Sequence, residues 1–336
     1  MSAIKKITAL QMPCETEDPF LFCAFHHENY PAGNGKLAPN ASLSGRNLGQ
    51  DFIQKDGWAM YHGREIPGFP AHPHMGFETV TIAQRGLVDH SDSLGASGRF
   101  GHGDVQWMTA GKGVQHSEMF PMVNEEDGNP LLLFQIWLNL PAKSKNVEPY
   151  FGMFWNEDIP KIKIKDENGI ETKLTLIAGS YENTKALNPA PDSWAADPQN
   201  DVNIWILELE PGATFTLPAG HKESHRSLYF YEGEELKAEG FAIPAMHRII
   251  MNPAESLTLK NGKVKSEILL LQGKPIEEPV VKHGPFVANS REGIEEGFSR
   301  YRENEFGGWP WPKHEQVHDK TSPRFAQFPD GSVQKP

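Results

Sequence analysis

The residues best placed to do chemistry come in two pairs. His72 and His74 lie in PGFPAHPHMGFETVTIAQRG, and His116 and Glu118 close GHGDVQWMTAGKGVQHSE. Alternate residues of an extended chain share a face, so His72 and His74 point the same way with Cα atoms about 6.6 Å apart. Glu78 falls on that face by the same alternation, and Gly76 between them leaves room for a ligand or a neighbouring backbone. A His-x-His pair alone means little, since 14 histidines in 336 residues produce about 0.6 such pairs by chance. The second pair changes the weighing. On a neighbouring strand it would complete a site of three imidazoles and one carboxylate, a donor set suited to divalent iron, manganese, cobalt, nickel, copper or zinc. The lack of thiolate donors argues against a closed structural zinc site.

The elements that must carry these pairs read as strands. FLFCAF (20–25), FETVTIA (77–83), DVQWMTA (104–110), TKLTLIA (172–178), NIWILELE (203–210), TFTL (214–217) and SLYFY (227–231) are rich in β-branched and aromatic residues. The apolar stretch LLLFQIWLNL (131–140) is too short for a bilayer span and reads as a buried strand. Asn261-Gly262 predicts a tight hairpin turn. One helix is predicted late, capped by Asn289 with Glu292 at its third position and with Ile294, Phe298 and Tyr301 on one face. The proline-rich segment 188–199 separates two strand-rich halves, and the last ~30 residues read as an extended arm. The pattern therefore predicts an all-β chain of two domains, as barrels or as sandwiches.

Acidic residues outnumber basic ones by 44 to 32, for a net charge of −12, which argues against direct nucleic-acid binding. The N-terminus lacks a signal-peptide core, so a cytoplasmic protein without membrane association is expected. Cys14 and Cys23 have no CxxC spacing and read as buried thiols of a reducing compartment. No P-loop, GxGxxG fingerprint or GxSxG elbow supports nucleotide or serine-nucleophile chemistry. His221, Glu223 and His225 alternate in the second half, but no second histidine pair follows them, which predicts a barrel without metal. His314 and His318 have i, i+4 spacing with Glu315 between them, but Pro312 and Pro323 flank the segment, so they read as residues of the arm.

The blocks HPHMGFETVTIAQRG, HSDSLGASGRFGHGDVQWMTAGKGVQHSE and LLLQGKPIEEPVVKHGPFVANSREGI closely resemble the pirins, members of the cupin superfamily. The resemblance implies a bicupin: two stacked antiparallel β-barrels, with a C-terminal helix and an extended tail. Residues 1–145 would form the metal-binding cupin, 160–305 a second cupin without metal, and 306–336 the tail. It implies one metal ion, Fe(II) first among the candidates, on His72, His74, His116 and Glu118. Glu118, rather than Glu78, would supply the carboxylate, leaving Glu78 to orient a histidine or line the pocket. The implied activity is that of quercetin 2,3-dioxygenase, acting on a small aromatic substrate such as a flavonol with O2, with Glu118 also taking the substrate's 3-hydroxyl proton. The alternative implied is an iron-dependent, redox-sensing interaction protein with a transcription factor or metabolic enzyme as partner. The sequence departs from the family at Met75, where many pirins carry arginine, and at Gln84-Arg85, differences expected at the pocket mouth.

Overall fold

The computed structural model describes residues 2–336. The chain is dominated by antiparallel strands, and Arg291–Asn304 is the one α-helix among the described residues. Packing divides it into two units that do not follow the halves expected from the sequence. One joins the segment up to Cys23 to Asp158–Glu277; the other joins Ala24–Glu157 to Glu278–Pro336.

In the first of these units a seven-stranded and a four-stranded sheet enclose one core. Inward residues of both sheets fill it, among them Leu207, Phe230 and Leu270 from the larger and Phe215, Leu236 and Leu259 from the smaller. The larger sheet is edged by Lys161–Lys165, whose lysines point outward, a common protection for an unpaired strand edge. Asn261-Gly262 does not make the expected hairpin. Leu257–Asn261 pairs with Thr214–Leu217 and Glu235–Ala238, whereas Ser266–Gly273 belongs to the other sheet. The chain crosses between sheets here, and the buried Asn261 amide donates to the Leu209, Glu210 and Val264 carbonyls that the crossing leaves open.

The second unit uses ten strands for the argument below: β1 (Phe20–Tyr30, which enters this unit at Ala24), β2 (Gly68–His74), β3 (Phe77–Arg85), β4 (Leu87–Asp92), β5 (Ser97–Gly101), β6 (Asp104–Thr109), β7 (Val114–Met119), β8 (Asn129–Asn139), β9 (Tyr150–Phe154) and β10 (Phe325–Gln327). One sheet runs β9-β6-β3-β8-β1. In the other, β10-β5-β4-β7-β2 are consecutive and Val333–Gln334 flanks β10. Pro73 is tolerated because β2 is an edge strand, where a missing N–H breaks no ladder.

Helix α1 (Arg291–Asn304) is capped by Ser290, whose hydroxyl accepts from the Gly293 N–H, rather than by Asn289. Asn289 instead donates to Glu278 and to the Pro279 carbonyl. Beneath the helix, Met75 packs with Phe286, Ala288, Ile294 and Phe306. Met75 is thus a buried core residue, and it also lines a cavity with Lys145, Asn146 and Ser290. The tail is held by a buried ion pair. Arg99 binds Asp89 through two hydrogen bonds and also donates to the carbonyls of His318, Asp319 and Ser322.

Candidate metal centre

β2 and β7 bring the two sequence pairs together. They run antiparallel with His72 opposite His116 and Phe69 opposite Glu118, across a bulge between Phe69 and His72. Residues directly opposite one another share a face, as do i and i+2, so His72, His74, His116 and Glu118 project together from one side of the sheet. β4, on the other flank of β7, adds His90 opposite Glu118 and Asp92 opposite His116.

The coordinating atoms of His72, His74 and His116 all lie within 4.8 Å of one another. The His72 Nδ1 is 2.8 Å from the Pro70 carbonyl, which fixes the proton there and leaves Nε2 as the donor atom. That Nε2 lies 3.1 Å from Nε2 of His74. Two nitrogens bound side by side to one ion at about 2.1 Å would be about 3.0 Å apart, so the spacing matches a shared cation. Both ring nitrogens of the fully buried His116 lack a hydrogen-bond partner. A buried polar atom left in this state is costly unless something outside the chain satisfies it. Burial pushes the His72 imidazole down to about 4 and those of His74 and His116 well below the ordinary value, so all three are neutral, ligand-competent bases at neutral pH. The residues therefore fit a divalent metal ion.

Glu118 sits beside this cluster, with Oε2 3.9 Å from Nε2 of His116. Its carboxylate is held from the facing sheet: Gln135 Nε2 donates to Oε2 at 2.8 Å, and the Thr81 hydroxyl lies 3.0 Å from Oε1. The same hydroxyl lies 2.5 Å from Gln135 Oε1, and its single proton serves one of these two acceptors at a time. Burial raises the pKa of Glu118, and the hydrogen bonding from Thr81 and Gln135 partly offsets that rise.

Glu78 does not join the site. The alternation is reset at Gly76, whose φ of +84° ends β2, and a Cβ there would lie 1.9 Å from the Val287 carbonyl oxygen. Phe77 takes the inward position and Glu78 turns to the opposite face of β3, where Trp107 Nε1 and Thr109 Oγ1 donate to it. In the other unit, His221 is exposed in a turn with Glu223, and His225 faces the Asp18 carbonyl at 2.7 Å. The three form no metal-ligating group among the described residues. His318 serves the tail, with Nε2 between the carbonyls of His90 and Gly98.

Comparison with known proteins gives the family. The family model for pirin matches residues 14–138, and that for the pirin C-terminal cupin domain matches residues 204–307. The chain belongs to the pirin family. A pirin-like protein of Caulobacter vibrioides is 34% identical over 80% of this chain and 90% of its own length. A Pseudomonas aeruginosa pirin relative, named as a provisional quercetin 2,3-dioxygenase, is 36% identical over 71% of this chain and 80% of its own. The crystal structure of a quercetin 2,3-dioxygenase from Acinetobacter baumannii superposes with a TM-score of 0.71 at 26% identity, covering 92% of this chain and 99% of that one. The fold of this pirin is thus the cupin type. Among the described residues, no helix is long and apolar enough to cross a membrane.

Thr81, Gln135, His90, Asp92 and Gln106 were not singled out from the sequence. His90 and Asp92 carry a signal in retrospect, a second alternating pair in HSDSLG, but it gains meaning only beside β7.

Proposed function

We propose that this pirin is an Fe(II)-dependent dioxygenase that opens the ring of a flavonol-like aromatic substrate. The observation that carries the reading is the unsatisfied His116 imidazole at the centre of three convergent, neutral histidines, beside a buried carboxylate. In that reading His72, His74 and His116 hold the ion, and Glu118 completes the set. When bound, the ion would supply a common coordination sphere for an enolate oxygen and O2. The rest falls to the chain. Glu118, with its pKa raised by burial, is suited to take the proton of a substrate hydroxyl, and Gln135 and Thr81 hold its oxygens in place for that transfer. The names of the Pseudomonas and Acinetobacter relatives support a flavonol as the first substrate to try.

The test is anaerobic loading with Fe(II), followed by addition of quercetin and O2. Stoichiometric consumption of flavonol with release of carbon monoxide is expected. Iron-loaded protein that turns over no flavonol would remove the reading.

A further inference from the structure

One buried acceptor beside the centre is left without a partner. Across the inner face of the five-stranded sheet, Gln135 of β8, Thr81 of β3 and Gln106 of β6 form a row in register. The two glutamines are used alike at their nitrogen ends. Gln135 Nε2 donates to Glu118, and Gln106 Nε2 lies 3.1 Å from Nδ1 of His90, the residue opposite Glu118 on the facing sheet. Their oxygen ends differ. Gln135 Oε1 meets the Thr81 hydroxyl, whereas Gln106 Oε1 meets nothing, although Gln106 is fully buried.

The orientation of the Gln106 amide is set from behind. Asp92 Oδ1 accepts from the backbone N–H groups of Leu94 and Ala96, which anchors the carboxylate, and Oδ2 lies 3.2 Å from Nε2 of His90. A carboxylate only accepts, so Nε2 of His90 carries the proton and Nδ1 offers a lone pair. That lone pair attracts the amide NH2 of Gln106 and repels its oxygen. Phe151 stacks on the imidazole at 5.1 Å and 22°, fixing the ring. The oxygen of Gln106 is therefore turned away from His90.

We propose that Gln106 Oε1 orients the bound ligand by accepting a hydrogen bond from a second O–H group on it, and that Asp92 and His90 act as positioning residues by dictating which end of the amide is presented. The ligand class follows: an aromatic that brings a hydroxyl besides the one used at the metal. The assignment rests on the flavonol reading of the site and is tested so that the two can fail separately.

The probes are quercetin and 3-hydroxyflavone, which lacks the additional hydroxyls, titrated anaerobically by absorbance into metal-loaded full-length protein. Gln106→Leu should weaken quercetin binding about tenfold while leaving 3-hydroxyflavone within about twofold and metal content unchanged. Asp92→Asn is the sharper variant. Its carboxamide keeps an oxygen for the two backbone donors but turns an NH2 toward His90, moving the proton to Nδ1 and reversing the Gln106 amide. It should lose the preference for quercetin to the same degree at near-wild-type melting temperature, a change of ratio that a purely structural role would not cause. Equal losses for both probes, or a preserved preference in both variants, would overturn the proposal. If the wild type binds neither probe, the flavonol reading fails. The crystal structure of the cobalt-loaded protein then decides Gln106: a water shared between Oε1 and the three-histidine centre sustains it, and a protein group on Oε1 overturns it.

Discussion

The two units of this pirin share one construction and use their interiors differently. In the unit of Asp158–Glu277, strands His225–Glu232 and Ser266–Gly273 turn Leu228, Phe230, Ile268 and Leu270 inward, and the space between the sheets is closed with hydrocarbon. In the other, β2, β7 and β4 turn histidines and carboxylates inward against Thr81, Gln106 and Gln135. Full burial of a leucine or phenylalanine stabilises by roughly 1.5–3 kcal/mol, whereas each unsatisfied buried polar atom costs about 1–3 kcal/mol. The same scaffold holds a hydrocarbon core in one unit and a polar, histidine-bearing interior in the other, and the second arrangement gives up stability.

The sharpest way to break this comparison is to count ions. Wild-type protein should bind one transition-metal ion per chain, and His116→Ala should bring that to near zero in elemental analysis without loss of β-sheet circular dichroism. His225→Ala should leave it at one. A second tightly held ion would mean the filled core had been misjudged. Next in size is Glu118→Gln, which should keep at least part of the iron and lower flavonol turnover by roughly 10²–10⁴-fold, with metal measured on the same sample.

Stability should show the opposite pattern. Leu270→Ala, in the filled core, is expected to cost about 2–5 kcal/mol, read as a lower urea midpoint, while metal content is unchanged. The smallest effect concerns pH in the metal-free protein. Burial lowers His26 and His72 to about 4, below the ordinary value of 6.5 that they recover on unfolding. Between these values the unfolded chain binds more protons, so the melting temperature of the histidine-bearing unit should fall from pH 6.5 toward pH 4 and then stop responding to these groups. A melting temperature that rises over that window would contradict the neutral, buried state of both rings.

What could be read directly was whatever depends on the two-residue period of a strand. His72 with His74, and His116 with Glu118, obey it, and their meeting needs only that β2 lie beside β7. Glu78 obeys the same arithmetic and still fails, because Gly76 takes a left-handed backbone and starts the count afresh. Asn261-Gly262 has the composition of a hairpin turn, yet its strands go to different sheets, a choice made by the core and not by the turn. The row of Gln135, Thr81 and Gln106 was invisible for a different reason. Each is an ordinary polar residue in its own strand, and each gains a role only when a second sheet is laid against it.

The interleaving of the two units also sets an order of events during synthesis. The unit with the filled core has all its residues once Glu277 has been made. The histidine-bearing unit begins at Ala24, but Arg99 lies buried awaiting the carbonyls of His318, Asp319 and Ser322, and β5 awaits β10 as its neighbour. A nascent chain stalled near residue 308 would carry one finished half and one with an open edge beside its histidines.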